Sequence, residues 1–169
     1  MASIINVDKV RATGSTTDGV LVNSSGQVTL PKIPYVMVNR SSTVSINTSG
    51  TTDVPYDNVL SSQGISWNTS TYQFTVPVAG LYNFSGAVRL DADRHYVYWQ
   101  VTNSSNTAIQ GSKLVLSQGY SGAGFTTAVG SCMLSLSTGT NYKIRVGDAN
   151  GTSVNLADAQ TWMDVRLIG

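Results

Sequence analysis

The stretch that decides the fold is Tyr72-Gln73-Phe74-Thr75-Val76-Pro77-Val78-Ala79-Gly80-Leu81-Tyr82-Asn83-Phe84-Ser85. Phe74 and Val76 alternate with polar residues, which predicts the end of a strand with inward side chains. Pro77 stops the ladder because proline has no backbone N–H to donate. Ala79-Gly80 then turns the corner, and the next strand starts at Leu81. These residues build a core, so they indicate a fold and say nothing about a ligand.

The composition of the whole chain supports a β-protein. It holds 22 Ser, 19 Thr, 16 Gly, 12 Asn and 20 Val among 169 residues, and no Glu. Val and Thr favour strands, whereas Gly, Ser and Asn favour turns. Few good helix formers remain, so we expect an all-β fold.

Strands and turns alternate from Tyr35 onward at the spacing of a sandwich or barrel. Within Leu81–Asp91, Tyr82 and Phe84 share one face with Val88 and Leu90, and polar residues occupy the other. Faces that differ this clearly are typical of antiparallel sheets with one buried face. The predicted strands are Tyr35–Arg40, Gln73–Val76, Leu81–Asp91, Tyr96–Thr102, Lys113–Ser117, Gly124–Ser137, Tyr142–Val146 and Trp162–Ile168.

Two predicted strands carry large side chains on both faces. Opposite an apolar face, one bears Tyr96 and Tyr98, and the last strand bears Trp162, Asp164 and Arg166. A small domain has no second layer to cover such side chains, so we expect these five residues to lie in a subunit interface.

The deciding stretch resembles the signature of the complement C1q globular head, a ten-strand antiparallel jelly roll of the C1q and tumour necrosis factor superfamily. Three further blocks fit in order: Tyr56-Asp57-Asn58 with Gly64-Ile65-Ser66-Trp67, then Gly130–Leu136 with Gly139 and Tyr142–Val146, and finally Thr161–Ile168. The resemblance covers residues 35–169. It implies a homotrimer packed around a three-fold axis.

Residues 1–34 differ from the rest and form a predicted β-rich stem. The segment is too short to bury a core alone, so it must pack on the main domain, on copies of itself or on another protein. A solvated tail is the alternative, but apolar residues recur too often for one. The expected anchoring residues are Ile4, Ile5, Val7, Val10, Val20 and Val22.

The stem also resembles, more loosely, the N-terminal pieces of bacteriophage fibre and other virion proteins, where the same jelly roll serves as a trimeric module. This implies a virion protein assembled in the host cytoplasm, with other capsid or tail proteins as partners. A tail-fibre or receptor-binding tip would contact a bacterial surface glycan, and a head-decoration protein would grip the capsid. A stem of 34 residues reaches only on the order of 110 Å when extended, at about 3.3 Å per residue, and this favours decoration or an adaptor-mounted tip.

Charge and cysteine content exclude several classes of protein. Charged residues make up 11% of the chain and the net charge is +1, so no basic patch for nucleic acid is expected. No apolar run is long enough for a membrane span, and the first ten residues do not resemble a secretory signal. Cys132, the single cysteine, cannot form an internal disulfide.

Catalysis finds little support in the sequence, and we expect no enzyme and no cofactor. His95 has no nucleophile elbow beside it, and Asp91 and Asp93 are the closest approach to a carboxylate pair. Those aspartates and Asp148-Ala149-Asn150-Gly151 are oxygen-rich turns, so a structural calcium ion stays an open alternative to ordinary turn chemistry.

Aromatic residues in predicted loops are candidates for contact with a ligand. Tyr56 and Tyr120 are expected to present exposed rings that could stack on sugars or fill a partner's pocket. The sequence therefore leaves two hypotheses for function: a trimeric virion structural protein displayed on the particle exterior, or a cellular C1q-like lectin that recognises glycans.

Overall fold

A computed structural model describes residues 9–10, 20–22, 25, 28–29, 33–92, 96–115, 124–148 and 153–169. The chain divides into two compact units, residues 1–33 and 34–169. In the first, β1 (Lys9–Val10), β2 (Val20–Val22) and β3 (Val28–Thr29) form an antiparallel sheet in that order.

The anchoring residues predicted for the stem fall partly on this sheet. Val10 and Val20 are directly paired between β1 and β2, and Val22 pairs with Val28 of β3. Ile4, Ile5 and Val7 lie outside the described residues. The anchoring role of the stem stays a prediction.

The second unit has thirteen strands within its described residues. They are β4 (Tyr35–Asn39), β5 (Val44–Asn47), β6 (Thr51–Asp53), β7 (Asn58–Gln63), β8 (Ser66–Asn68), β9 (Gln73–Thr75), β10 (Gly80–Leu90), β11 (Val97–Asn103), β12 (Leu114–Val115), β13 (Thr126–Leu136), β14 (Tyr142–Asp148), β15 (Ser153–Leu156) and β16 (Trp162–Leu167).

The strands form two antiparallel sheets. The first sheet runs β7-β4-β16-β10-β13, and β15 with β5 continues from the end of β10, where Leu90 pairs with Leu156. The second sheet runs β12-β11-β14-β9-β8, with β6 paired to the end of β14. The all-β, antiparallel jelly-roll prediction is confirmed, although the domain uses more and shorter strands than the expected ten.

The corner predicted from the deciding stretch is present. Phe74 and Val76 are buried, and the hydroxyl of Tyr82 donates a hydrogen bond to the carbonyl of Val78 at 2.8 Å. Gly80 is required because a Cβ there would lie 2.6 Å from the carbonyl oxygen of Gly169. The corner therefore fixes where the chain crosses from the second sheet to the first.

The hydrophobic core lies between the two sheets. Trp99, Tyr82 and Phe84 are fully buried in it, and the ring of Trp67 stacks on Phe74 with centroids 5.5 Å apart. The predicted face of β10 is confirmed, because Tyr82, Phe84, Val88 and Leu90 are all fully buried. Each sheet thus turns its other face outward.

Candidate subunit interface and polar pocket

The outward side chains of β7, β4, β16, β10 and β13 form one surface, which we call the front face. Directly opposed residues of antiparallel strands point to the same side of a sheet, so the strand pairing defines this surface. Its rows of paired residues are Tyr35-Arg166-Asn83-Met133, Met37-Asp164-Ser85-Ser131 and Asn39-Trp162-Ala87-Val129.

One side of the front face is apolar and exposed. Val129 and Met133 on β13 keep 52% and 62% of their surface accessible, and Ala87 lies between Val129 and the half-buried Trp162. Val129 and Met133 lie in one outward row of β13 with the exposed Ser131 between them, and exposed large apolar side chains on one sheet face can mark a contact surface. This side of the front face is therefore a candidate for contact with another subunit.

On the opposite side of the front face, polar side chains of β4 and β7 bond to each other, although Leu60 of β7 is 54% exposed. The hydroxyls of Tyr35 and Ser61 are 2.9 Å apart, and the side-chain amide of Asn58 donates to Asn39 Oδ1 at 2.8 Å. These groups need no hydrogen-bond partner from outside the subunit.

Asp164 lies at the centre of the front face. Its Oδ1 atom is buried and has no hydrogen-bond partner among the described residues, and its Oδ2 atom is 3.7 Å from a guanidinium nitrogen of Arg166. Burial raises the pKa of Asp164, and the charge of Arg166 only partly offsets this. The unpartnered carboxylate oxygen lies on the same face as the exposed side chains of β13, two strands away, and a donor from a neighbouring molecule would satisfy it.

The structure separates the five residues predicted for the subunit interface. Trp162, Asp164 and Arg166 are on the front face. Tyr98 belongs to β11 of the second sheet, and Tyr96 immediately precedes that strand, so the five residues do not share one surface.

Tyr98 is partly covered by its own subunit. Its hydroxyl is 3.0 Å from Thr51 Oγ1, and the ammonium of Lys113 lies 3.9 Å from its ring centroid. The ring lies on Gly147, where a Cβ would come within 2.6 Å of the hydroxyl. These contacts cover part of Tyr98, which is half-buried, and its place in a subunit interface stays a prediction.

A polar pocket of about 360 Å³ opens on the second sheet. Six residues with uncharged amide or hydroxyl side chains line the pocket: Ser66, Asn68, Thr71, Gln73, Thr75 and Asn141. Phe74 is the remaining lining residue, and only 1% of its surface is exposed.

Comparison with known families identifies the fold. A model of the C1q domain matches residues 36–162, most of the 169-residue chain. The chain belongs to the C1q domain family. A comparison with curated proteins gives no significant match.

Three solved structures illustrate the likeness in fold. The globular domain of zebrafish complement 1qA has a TM-score of 0.57 and 18% identity, covering 80% of this chain and 98% of that one. Murine APRIL gives 0.56 and 15%, covering 81% and 100%. Eiger TNF from S. frugiperda gives 0.55 and 13%, covering 82% and 92%. At these identities the likeness establishes the fold alone.

Tyr56 of this C1q domain is not the exposed ring that the sequence predicted. It is 0% exposed, packs edge-on against Trp67 with centroids 5.8 Å apart, and burial raises its pKa far above the usual range. The loop that carries it is held down by Arg40, which donates to the carbonyl of Pro55 at 2.6 Å. Direct contact between Tyr56 and a glycan is excluded in this conformation. Tyr120 lies outside the described residues.

Few of the residues considered for catalysis or metal binding lie in the described part of the chain. Asp93 and His95 fall outside the described residues, and Asp91 is 3.2 Å from the guanidinium of Arg89. Among the described residues no three His, Cys, Asp or Glu side chains could hold one metal ion.

Burial raises the pKa of Cys132 to about 11, so its thiol stays protonated and poorly nucleophilic at neutral pH. No helix in the described part of the chain is long and apolar enough to cross a membrane.

Sequence reasoning missed Val129 and Met133. Both alternate with inward residues such as Ala128 and Leu134, so β13 is apolar on both faces, like the two strands that were singled out. The signal is present but weak, because Gly130, Ser131 and Cys132 separate the two residues. The polar pocket had no signal at all, because its residues are ordinary turn and edge-strand residues.

Proposed function

We propose that this C1q domain is a non-enzymatic, homotrimeric structural protein whose subunits associate through the front face. The observation that carries the proposal is that the exposed Val129 and Met133 share the front face with Asp164, whose Oδ1 atom is buried without a partner among the described residues. A neighbouring subunit would bury the two apolar side chains and bring a donor to the carboxylate. Each apolar side chain, already half-buried, would contribute on the order of 1 kcal/mol.

Three copies are proposed because the family resemblance implies a homotrimer around a three-fold axis. The two sides of the front face differ, because β13 exposes Val129 and Met133 while polar side chains of β4 and β7 bond to each other. A cyclic trimer joins two different patches of neighbouring subunits, so an asymmetric face of this kind suits it.

The proposed location is the exterior of a bacteriophage particle, as a tail-fibre or receptor-binding tip or as a head-decoration protein. Residues 1–34, which resemble virion N-terminal segments in style, would hold the trimer on capsid or tail proteins. The proposal includes assembly in the host cytoplasm before incorporation into the particle.

Antibody labelling of purified virions tests the location. Gold-labelled antibody against residues 34–169 is expected to mark the particle at regular positions, on the head for a decoration protein and at the tail for a tip. Particles that contain no trace of the chain by labelling and by mass spectrometry would overturn the virion assignment and leave the trimer proposal intact.

A cellular glycan-binding module is the second candidate function, and the polar pocket favours it. Amide and hydroxyl groups that converge on a pocket without charge suit the hydroxyls of a sugar. This function predicts saccharide binding by the purified protein and does not require a particle.

A further inference from the structure

We infer that the polar pocket binds an uncharged saccharide through the side chains of Gln73 and Asn141. The inference rests on the second candidate function and names the site and the ligand class. It does not depend on the trimer, because the pocket and the front face belong to different sheets.

The pocket is built from two rows of outward side chains on neighbouring strands. Asn68 pairs with Gln73, and Ser66 pairs with Thr75, between β8 and β9. Asn141 lies just before β14, whose first residue pairs with Phe74. The alternation of these strands turns their aromatic residues into the core and their amides and hydroxyls outward.

The turn between β8 and β9 sets one wall of the pocket. Asn68 Oδ1 accepts hydrogen bonds from the backbone N–H groups of Ser70 and Thr71 at 2.9 and 3.1 Å, which fixes the turn. Tyr72 has a φ of 55°, a left-handed conformation that is uncommon for a residue with a side chain. This turn holds Thr71 at the rim and leaves the amide nitrogen of Asn68 available.

The side chains of Gln73 and Asn141 have hydrogen-bonding capacity that the protein does not use. Within the described part of the chain, neither side chain forms a hydrogen bond to another residue. Each carboxamide offers two donor hydrogens and one acceptor oxygen. Paired donors and acceptors of this kind match the vicinal hydroxyls of a sugar, each of which both donates and accepts.

The charge around the pocket selects against acidic ligands. The nearest cation in the strand pairing is Lys143, opposite Gln73, and its ammonium is held by Asp53 Oδ2 and Asn106 Oδ1, both at 3.0 Å. A phosphate, sulfate or uronic acid would therefore find no free positive charge there. A planar base would find no exposed ring either, because Phe74 is stacked on Trp67 inside the core.

Titration of the full-length protein, followed by amide NMR shifts, tests the inference. The probes are glucose, galactose, mannose, N-acetylglucosamine and maltotriose, with glucuronate and inorganic phosphate as charged comparisons. We expect at least one neutral probe to shift the amides of Gln73, Thr75 and Asn141 with a dissociation constant on the order of 1 mM, equivalent to about 4 kcal/mol. The charged probes should leave those amides unmoved.

Variants separate this site from saccharide binding elsewhere. Gln73→Ala and Asn141→Ala are expected to weaken the binding at least fivefold, whereas Gln110→Ala and Asn155→Ala, which remove the same side chains from exposed positions outside the pocket, should have no effect. Binding that persists in both pocket variants, with shifts elsewhere, would overturn this site and leave the glycan function standing. An absence of shifts with every neutral probe would overturn both.

Discussion

Asp164 and Ser85 lie directly opposite each other at the centre of the first sheet, where the Oδ1 atom of Asp164 is buried without a hydrogen-bond partner among the described residues. Leaving a buried polar atom unsatisfied costs about 1–3 kcal/mol. On the same face Val129 and Met133 are more than half exposed. The unpartnered carboxylate oxygen and the exposed apolar side chains therefore lie on one surface of the subunit. A neighbouring subunit there would both donate a hydrogen bond to the carboxylate and bury the apolar side chains.

Val129→Asp is expected to disrupt self-association. A carboxylate at the centre of an apolar contact must be desolvated without a partner, which should weaken association at least tenfold, or about 1.4 kcal/mol. Sedimentation analysis of a dilution series measures the effect. Val78→Asp places the same charge on an exposed valine of the turn after Pro77 and should leave the sedimentation unchanged. Equal behaviour of the two variants would contradict the interface.

Asp164→Asn is expected to remove one component of the pH dependence of stability. Because burial raises the pKa of Asp164, its stabilising contribution is complete below the unfolded carboxyl pKa and is lost as the pH rises through the folded value. In the Val129→Asp background, where association is weakened, the free energy of unfolding by urea with Asp164 intact minus that with Asp164→Asn should therefore fall from pH 3 to pH 7. In the trimer the same difference should rise with pH, because a donor from the neighbouring subunit would stabilise the Asp164 carboxylate. A difference that falls with pH in both would contradict the proposed contact at Asp164.

Asp57→Asn is expected to change the pH dependence of the free energy of unfolding in the opposite direction, because the pKa of Asp57 is lowered. Burial opposes ionisation of Asp57, but hydrogen bonds from the hydroxyl and N–H of Ser41 and the charge of Arg40 outweigh it and lower the pKa. The carboxylate accepts those two bonds at 2.7 and 2.8 Å and lies 3.0 Å from the guanidinium of Arg40. The variant should lose about 1–3 kcal/mol of stability at pH 7.

The cost of Asp57→Asn should shrink as the pH falls through the lowered folded pKa, because the wild-type carboxylate then becomes protonated. Urea unfolding of both proteins between pH 2 and 7 measures it. Asp158→Asn, at an exposed aspartate, serves as the control. A loss of unfolding free energy that is the same at every pH from 2 to 7 would contradict the stabilisation of the Asp57 carboxylate by Ser41 and Arg40.

Tyr98→Phe tests whether Tyr98 belongs to the subunit or to the interface. The change removes only the hydrogen bond to Thr51, so stability should fall by about 0.5–1.5 kcal/mol. The mass in light scattering should stay that of the wild type. Dissociation of the variant into smaller species would place Tyr98 in a subunit contact after all.

The fold was predictable because its signal is local. Phe74 and Val76 alternate with polar residues before the corner, Tyr82 and Phe84 do so after it, and Pro77 and Gly80 mark the corner itself, so the pattern predicts strands, faces and turn together. Short polar strands such as β5 and β8 escaped prediction, since Ser, Thr and Asn are as common in turns as at sheet edges. Pairing with a neighbouring strand, which one segment cannot reveal, defines them.

The contact surfaces were only partly predictable because they combine distant segments. Asp164 could be expected on an outward face from alternation within β16, but its proximity to Val129 depends on β10, which lies between them. Neither Tyr98, between Val97 and Trp99, nor Tyr56, between Pro55 and Asp57, has neighbours in sequence that reveal how far it is buried. Their burial depends on Gly147 and Arg40, which are remote in the chain, so no local pattern could show it.

The mass of the protein in solution tests the central claim most directly. Light scattering coupled to size-exclusion chromatography at micromolar subunit concentration should give three times the chain mass of 17.9 kDa. An obligate trimer should also gain thermal stability as its concentration rises. A folded species of 17.9 kDa with concentration-independent stability would contradict the proposed assembly through the front face.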